Sequence, residues 1–501
     1  MTVAKIERLE TGVEGLDRIL GGGLVRNSIF MLSGRPGAGK TILSNQVAFA
    51  HARAGGSVVY ATLLAESHAR MIAQLSALSF FDPALIGPKF KYLSAYEAIT
   101  EGGLDSLLKV LQGMVRDHGA SLLVLDGMVT AEGLARSTAE YKQFISRLQS
   151  WVAMVECTVL IATSTELASD DVAPAHPLVD GIIELASERF RMRNLRTIAV
   201  SKMRGGAVLE GQHSYLISDD GLRVFPRLEA VLEVGRRPPA SRRVTTGVPG
   251  LDAVLKGGIV SESTTLLLGS SGAGKTILGL HFLAEGARRG EKCLYFGFYE
   301  PPNQLIAKAD RLGLDFTSLI DGGNLYLKWL RPAEVQIDAL VHALLDIVRE
   351  KKVDRLFIDG FVGFRSTSIN ERISSVFSAV SDELVAHGVT TVISDETREL
   401  FVQEIEVPTP NVSAIFHNIL FVRHVEVGAE LQRLLSVMKT RDSDADRRLW
   451  RYEIEDHGLR IMAPFAAGGD TLIGGHADTA GNRSKAKPRT NPKPSARRKK
   501  K

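Results

Sequence analysis

The chain is written twice. The run Thr11-Gly-Val-Glu-Gly-Leu-Asp-Arg-Ile-Leu-Gly-Gly-Gly-Leu24 returns as Thr246-Gly-Val-Pro-Gly-Leu-Asp-Ala-Val-Leu-Lys-Gly-Gly-Ile259, displaced by 235 residues. Gly34-Arg-Pro-Gly-Ala-Gly-Lys-Thr41 returns as Gly269-Ser-Ser-Gly-Ala-Gly-Lys-Thr276 at the same displacement. Leu123-Val-Leu-Asp-Gly127 returns as Leu356-Phe-Ile-Asp-Gly360 at 233, and Lys202-Met-Arg204 as Lys439-Thr-Arg441 at 237. Four landmarks in one order, drifting by only a few residues, mean a duplicated domain. A chain of 501 residues also exceeds what one hydrophobic core serves. The landmarks divide it into a first domain over 1–233, a linker over 234–243 rich in Pro and Arg, a second domain over 244–465 and a tail over 466–501.

Within each copy, short aliphatic runs alternate with longer helix-compatible segments. The first copy offers runs starting at Ser28, Ser57, Ser121, Thr158, Gly181 and Thr197; the second offers runs starting at Thr264, Cys293, Arg355, Thr390, Asn418 and Leu434. Continuous apolar strands alternating with helices predict an α/β fold, with a mostly parallel sheet covered on both faces. Cys157 and Cys293 fall inside such runs, the pattern of buried thiols in a reducing compartment. No apolar stretch approaches the ~20 residues that span a bilayer, and the N-terminal residues lack a signal-peptide layout, so the expectation is a cytoplasmic protein. His176 and His213 have no partners at metal-ligand spacing and read as loop histidines. Trp151, Trp329 and Trp450 read as packing residues.

Charge is unevenly spread. The chain has 61 Lys/Arg and 57 Asp/Glu, but ten of the basic residues and none of the acidic ones fall in residues 483–501. Removing those ten leaves 51 against 57, an acidic body of about −6 carrying a tail of +10. The tail buries too little apolar surface to fold, and a flexible segment of that charge associates with polyanions or serves to keep the chain soluble.

Both Gly-rich stretches satisfy G-x-x-x-x-G-K-[ST] and lie between a predicted strand and a predicted helix, the context that gives the motif its meaning. Gly34, Gly37, Ala38, Gly39, Lys40 and Thr41, and likewise Gly269, Gly272, Ala273, Gly274, Lys275 and Thr276, predict a loop whose backbone N–H groups surround nucleotide phosphates. Lys40 and Lys275 would neutralise β- and γ-phosphate charge, and Thr41 and Thr276 would hold Mg2+. Asp126 and Asp359 end later strands, where a carboxylate faces the loop and reaches the metal, or else caps the next turn. A residue that orients or deprotonates the nucleophile is sought at the end of the strand after the loop helix; Glu300 and Glu66 are the candidates, Glu66 needing a one-residue shift to match. Lys202 and Arg204, with Lys439 and Arg441, sit two apart at the end of a late strand, so each pair points to one face.

Two tandem modules with the T-G-x-x-G-L-D-x-x-L-x-G-G-[LI] run, the Gly-rich loop, the Asp-ended strand and Lys-x-Arg resemble the KaiC-type ATPases of the RecA superfamily. The resemblance covers about residues 5–463, including the segment from Asn411 to Val427 and the closing stretches Leu216–Val224 and Tyr452–Ile461. It implies two RecA-like domains in a two-tier homohexamer, with ATP and Mg2+ between subunits. It further implies ATPase activity mainly in the first tier, Ser/Thr autophosphorylation in the second, and a signalling protein partner. Lys202, Arg204, Lys439 and Arg441 would then complete a neighbour's phosphate site. The chain departs from the family in three places. Its paired catalytic glutamates reduce to Glu300 and the offset Glu66; the adjacent phosphoacceptor pair becomes Ser413-Ala414, leaving Ser413 as candidate acceptor; and the tail is unusually basic. Two other classes stay open at this point: a RecA- or helicase-like ATPase that the tail tethers to nucleic acid, and a nucleotide-gated scaffold with little turnover.

Overall fold

A computed structural model of the chain describes residues 6–64, 68–164, 176–190, 193–231, 242–331, 336–367, 372–397, 415–427, 430–441 and 444–465. Its first half contains strands β1 (Ile29–Gly34), β2 (Val58–Thr62), β3 (Phe90–Ser94), β4 (Leu122–Asp126), β5 (Thr158–Thr163), β6 (Gly181–Phe190), β7 (Arg193–Met203), β8 (His213–Ser218) and β9 (Gly221–Phe225). They form one nine-stranded sheet in the order 3-2-4-5-1-6-7-8-9. The second half repeats this with β10 (Thr264–Gly269), β11 (Cys293–Gly297), β12 (Leu325–Trp329), β13 (Arg355–Asp359), β14 (Thr390–Glu396), β15 (Asn418–Val427), β16 (Glu430–Lys439), β17 (Trp450–Glu455) and β18 (Gly458–Pro464), in the order 12-11-13-14-10-15-16-17-18. Each order is the other shifted by nine, so the duplication seen in the sequence is a duplication of topology.

From β3 to β6 all neighbours are parallel, whereas β7, β8 and β9 continue the sheet as antiparallel strands. The reason is length: β6 and β7 are joined too tightly for a crossover helix, and only an antiparallel partner accommodates so short a turn. The expected mostly parallel α/β fold therefore holds, with an antiparallel extension in each half. The sheet-edge strands β3 and β12 escape the sequence reading. Only the first residue of each is buried, and they carry Lys91 and Lys328, so they lack the continuous apolar run of the central strands.

Apolar residues of successive strand positions sort onto opposite faces, as a period of two requires. Phe30, Leu32, Val58 and Tyr60 belong to one core cluster, and Ile29, Met31, Val59 and Ala61 to another across the sheet. Helix α1 (Lys40–Arg53) lies on the first face; α2 (Tyr96–His118), α3 (Met128–Leu134) and α4 (Thr138–Val155) cover the second. Because α1 is enclosed by the sheet and by β9, it is buried nearly all round and shows no amphipathic stripe. Its Gln46 side chain bonds both backbone groups of Leu222. His213 is no loop residue: it opens β8, fully buried, its ring bonded to Leu209 O and Arg227 N. Cys157 and Cys293 are buried free thiols, pushed up to about 12 by burial.

The halves meet through α5 (Leu228–Val231), whose Leu228 joins a core cluster of the second half. In that half, helices α6 (Lys275–Arg288), α7 (Pro302–Arg311), α8 (Ile337–Lys351), α9 (Phe361–Thr367) and α10 (Ile373–Ala386) cover the sheet. Asp338 of α8, its side chain 3% exposed, receives Arg372 Nη2 at 2.7 Å and Ser214 Oγ at 2.5 Å. Arg372 Nε also reaches Glu229 of α5 at 2.8 Å. The seam is thus an ion-pair network drawing on both halves, with Asp338 buried and Arg372 and Glu229 partly buried. Among the described residues no helix is long and apolar enough to cross a membrane.

Candidate functional site

In each half the Gly-rich loop joins the central strand to a buried helix. Gly39 and Gly274 cap α1 and α6 in the left-handed region, at φ 98 and 87. At that φ a side chain is strained, so the position favours glycine, whereas a Cβ on Gly39 would meet only the movable tip of Ile217 at 2.6 Å. From behind, the antiparallel extension holds the loop: Tyr215 OH donates to Ala38 O at 2.5 Å, and Tyr452 OH to Ala273 O at 2.5 Å.

The first site gathers Lys40, Thr41, Tyr60 and Asp126. Lys40 Nζ donates to Gly34 O at 2.6 Å and Arg35 O at 3.0 Å, folded back onto its own loop. Burial pulls this lysine below its ordinary value, opposed by Asp126. Thr41 Oγ1 and Tyr60 OH both donate to Asp126 Oδ2 at 2.9 Å. The second site repeats the set: Lys275 donates to Gly269 O at 3.0 Å and Ser270 O at 2.8 Å, and Asp359 Oδ2 accepts from Thr276 at 3.0 Å and Tyr295 at 2.9 Å. Ser394 Oγ adds a bond to Asp359 Oδ1 at 2.7 Å. Burial raises the Asp359 carboxyl against the lowering effect of these three donors. A Thr hydroxyl and a nearby buried carboxylate form an all-oxygen donor set, which suits Mg2+ completed by nucleotide phosphates and water. No group of three or more His, Cys, Asp or Glu able to hold a metal alone occurs among the described residues.

The second site opens into a cavity of about 350 Å³ lined by its loop, Tyr299, Glu300, Lys308, Asp359, Asp395 and Glu396. Glu300 pairs with Lys308 of α7, and its Oε2 is buried without a hydrogen-bond partner. Asp395 is held by both Nη atoms of Arg365, at 2.8 and 2.7 Å. Glu396 Oε1 lies 3.6 Å from Lys275 Nζ.

Glu66, Ser413 and the basic tail lie outside the described residues. Lys202, Arg204, Lys439 and Arg441 are not brought to the loops of their own half. Lys202 pairs with Ile182, beside Gly181 and Phe30 at the start of β1, whereas the loop leaves the other end of that strand. Lys439 pairs with Ile419, which faces Leu266 near the start of β10. At the rise of a strand this separates each basic pair from its own loop by on the order of 10–15 Å. Lys202 Nζ instead bonds His176 O and Pro177 O, and Lys439 Nζ bonds Phe416 O. Trp329 ends the edge strand β12, four strands from β10, with Arg331 over its ring.

Sequence reasoning missed Tyr60 and Tyr295, Tyr215 and Tyr452, Lys308 and the Arg365–Asp395 pair. The tyrosines carried a signal, since each recurs at the repeat displacement. The ion pairs carried none, because no motif links Glu300 to Lys308 eight residues on or Arg365 to Asp395 thirty residues on.

Comparison with known proteins matches the family described as "ATPase: KaiC" to residues 9–229 and again to 244–465. The chain is similar to the circadian clock oscillator protein KaiC of Picosynechococcus sp., with 26% identity over 473 residues, 92% of this chain and 90% of that protein. It is also similar to two Synechocystis sp. proteins. Circadian clock oscillator protein KaiC 1 is 26% identical over 92% of this chain and 90% of its own length, and circadian clock protein KaiC3 is 25% identical over 92% of each.

Proposed function

The chain belongs to the KaiC ATPase family, and from that premise we propose that each half binds and hydrolyses Mg·ATP within a homohexameric, two-tier ring that signals to a partner protein. The observation that carries this reading is the same Lys–Thr–Asp–Tyr arrangement at the same place in both sheets.

Lys40 and Lys275 exchange their loop carbonyls for the β- and γ-phosphate oxygens, while the loop N–H groups surround the phosphate chain. Thr41 with Asp126, and Thr276 with Asp359, hold Mg2+, which supplies neutralisation of phosphate charge. Tyr60 and Tyr295 fix the carboxylates that face it. In the second half Glu300 orients the attacking water and accepts its proton, and the ion pair to Lys308 sets the position of that carboxylate. Glu66 takes the same role in the first. Lys202, Arg204, Lys439 and Arg441 serve the site of a neighbouring subunit, a role supported by their distance from their own loops. Ser413 is the proposed autophosphorylation site: its Oγ forms the bond to the γ-phosphorus, the bond to ADP breaks, and the hydroxyl proton leaves to a carboxylate of the site.

ATP turnover of Lys40→Ala, Lys275→Ala and the double variant tests the reading. Each single variant removes one component of turnover and the double variant falls by at least about a hundredfold. A double variant that turns over like the unaltered protein overturns it. Labelled phosphate from γ-labelled ATP is expected on the second half and absent from Ser413→Ala; full labelling of that variant removes Ser413 as the acceptor.

A further inference from the structure

The two sites share their loop, lysine, threonine, aspartate and tyrosine, so a difference between them at the same register position stands out against an internal control. Such a difference lies at the tip of the strand beside the loop strand. In the first half Leu32 and Ser33 of β1 face Ala162 and Thr163 of β5, and Ser164 follows. In the second half Leu267, Leu268 and Gly269 of β10 face Ser394, Asp395 and Glu396 of β14. Where one site has Thr163-Ser164, the other has Asp395-Glu396.

The two acids are not equivalent. Asp395 is buried and neutralised by the bidentate Arg365, so it acts as an anchor. Its Oδ1 accepts from the Glu396 backbone N–H at 2.9 Å, and the next residue, Thr397, donates its N–H to Gly269 O at 3.1 Å. The backbone carrying Glu396 is therefore tied to the root of the Gly-rich loop. Its carboxylate faces Lys275, whose side chain is only 9% exposed. Lys308, the other cation lining this cavity, is engaged by Glu300.

We propose that Glu396 is a specificity-determining residue of the second site that disfavours the γ-phosphate, so that this site prefers ADP over ATP more strongly than the first. The inference rests on the reading of both loops as nucleotide sites. Lys275 is the group that a γ-phosphate approaches. A carboxylate beside it, carried on backbone tied to the loop root, both competes for the ammonium and repels the extra charge that distinguishes ATP from ADP. The β-phosphate, held chiefly by the loop backbone N–H groups, depends less on that ammonium. Among the described residues the first site offers hydroxyls at the matching positions.

The test uses the full chain in a Lys40→Ala background, so that the second site reports alone. Mg·ADP and a non-hydrolysable Mg·ATP analogue are titrated by calorimetry into that protein and into its Glu396→Gln form, an isosteric change at a half-exposed position. The expected result is tighter binding of the ATP analogue by about tenfold, with ADP affinity changed less than about twofold. The mirror experiment places Ser164→Glu in a Lys275→Ala background and is expected to weaken the ATP analogue relative to ADP at the first site. An affinity ratio that stays within about twofold in Glu396→Gln overturns the proposal. So does loss of ATP turnover with the ratio unmoved, which would make Glu396 a proton acceptor. If the protein with both lysines intact binds neither nucleotide, the nucleotide-site reading itself has failed, which is a distinguishable result.

Discussion

Single buried side chains set how this protein responds to pH. His51 in α1 bonds Ser121 Oγ through Nε2 at 2.8 Å, and its ring fills the space above Gly56. Burial, with Arg26 adding repulsion, holds the imidazole at about 4 where an exposed one sits at 6.5. A histidine whose folded-state value lies below its free value binds fewer protons folded than unfolded. Its contribution is complete above pH 6.5, declines as pH falls through that value, and stops changing below about 4. The loss over that window is on the order of 2 kcal/mol once partial solvent screening is allowed for. Urea midpoints of the unaltered protein and His51→Gln, measured from pH 7 to 4, are expected to converge as pH falls; parallel curves would contradict the assignment. At this scale the sequence was legible wherever chemistry is local. The loop lysines, Thr41, Thr276, Asp126 and Asp359 could be read from motif and spacing, and the structure brings each set together. Glu300 could be read as a residue but not as half of a pair with Lys308, because nothing in a sequence states that a helix will turn its lysine back toward the strand end.

At the level of elements, the antiparallel extension is more than a way to finish a sheet. Strands β8 and β17 carry Tyr215 and Tyr452, whose hydroxyls hold the loop carbonyls of Ala38 and Ala273. Tyr452→Phe keeps the ring and leaves a buried carbonyl without that donor, so a loss of about 1–2 kcal/mol is expected. Thermal unfolding followed with and without Mg·ADP is expected to show a lower midpoint and a smaller nucleotide-induced rise. An unchanged rise would mean that the tyrosine supports the fold and not the loop. The sequence showed these hairpins only as closing segments, since their function depends on which strand they lie against. The central strands were legible for the opposite reason: buried on both faces, they carry unbroken apolar runs such as Leu122–Leu125 and Leu356–Ile358. Edge strands β3 and β12, only partly buried after their first residue, carry a mixed pattern and stayed hidden.

Taken whole, the molecule is two copies of one topology joined by a partly buried polar seam. Arg372→Ala would leave Asp338 buried with a serine hydroxyl as its remaining donor from this network. Removing one partner of such a pair costs about 3–5 kcal/mol. The Arg372–Asp338 pair lies within the second half and the Arg372–Glu229 bond crosses the seam, so denaturant unfolding is expected to change from one transition to two, with the second half unfolding first. A single, merely shifted transition would show that Leu228 and its apolar neighbours suffice to couple them. The same seam bears on how the protein can be dissected. By resemblance the copies separate between residues 229 and 244. By contact, Leu228 is a wall of the second copy's interior and Glu229 a counter-ion for its Arg372. A fragment cut at the border of the repeat would carry a leucine-sized hole and a guanidinium missing one of its carboxylates, while the first copy would end in an orphaned apolar finger. The unit that was copied and the unit that can be cut out are different lengths of chain.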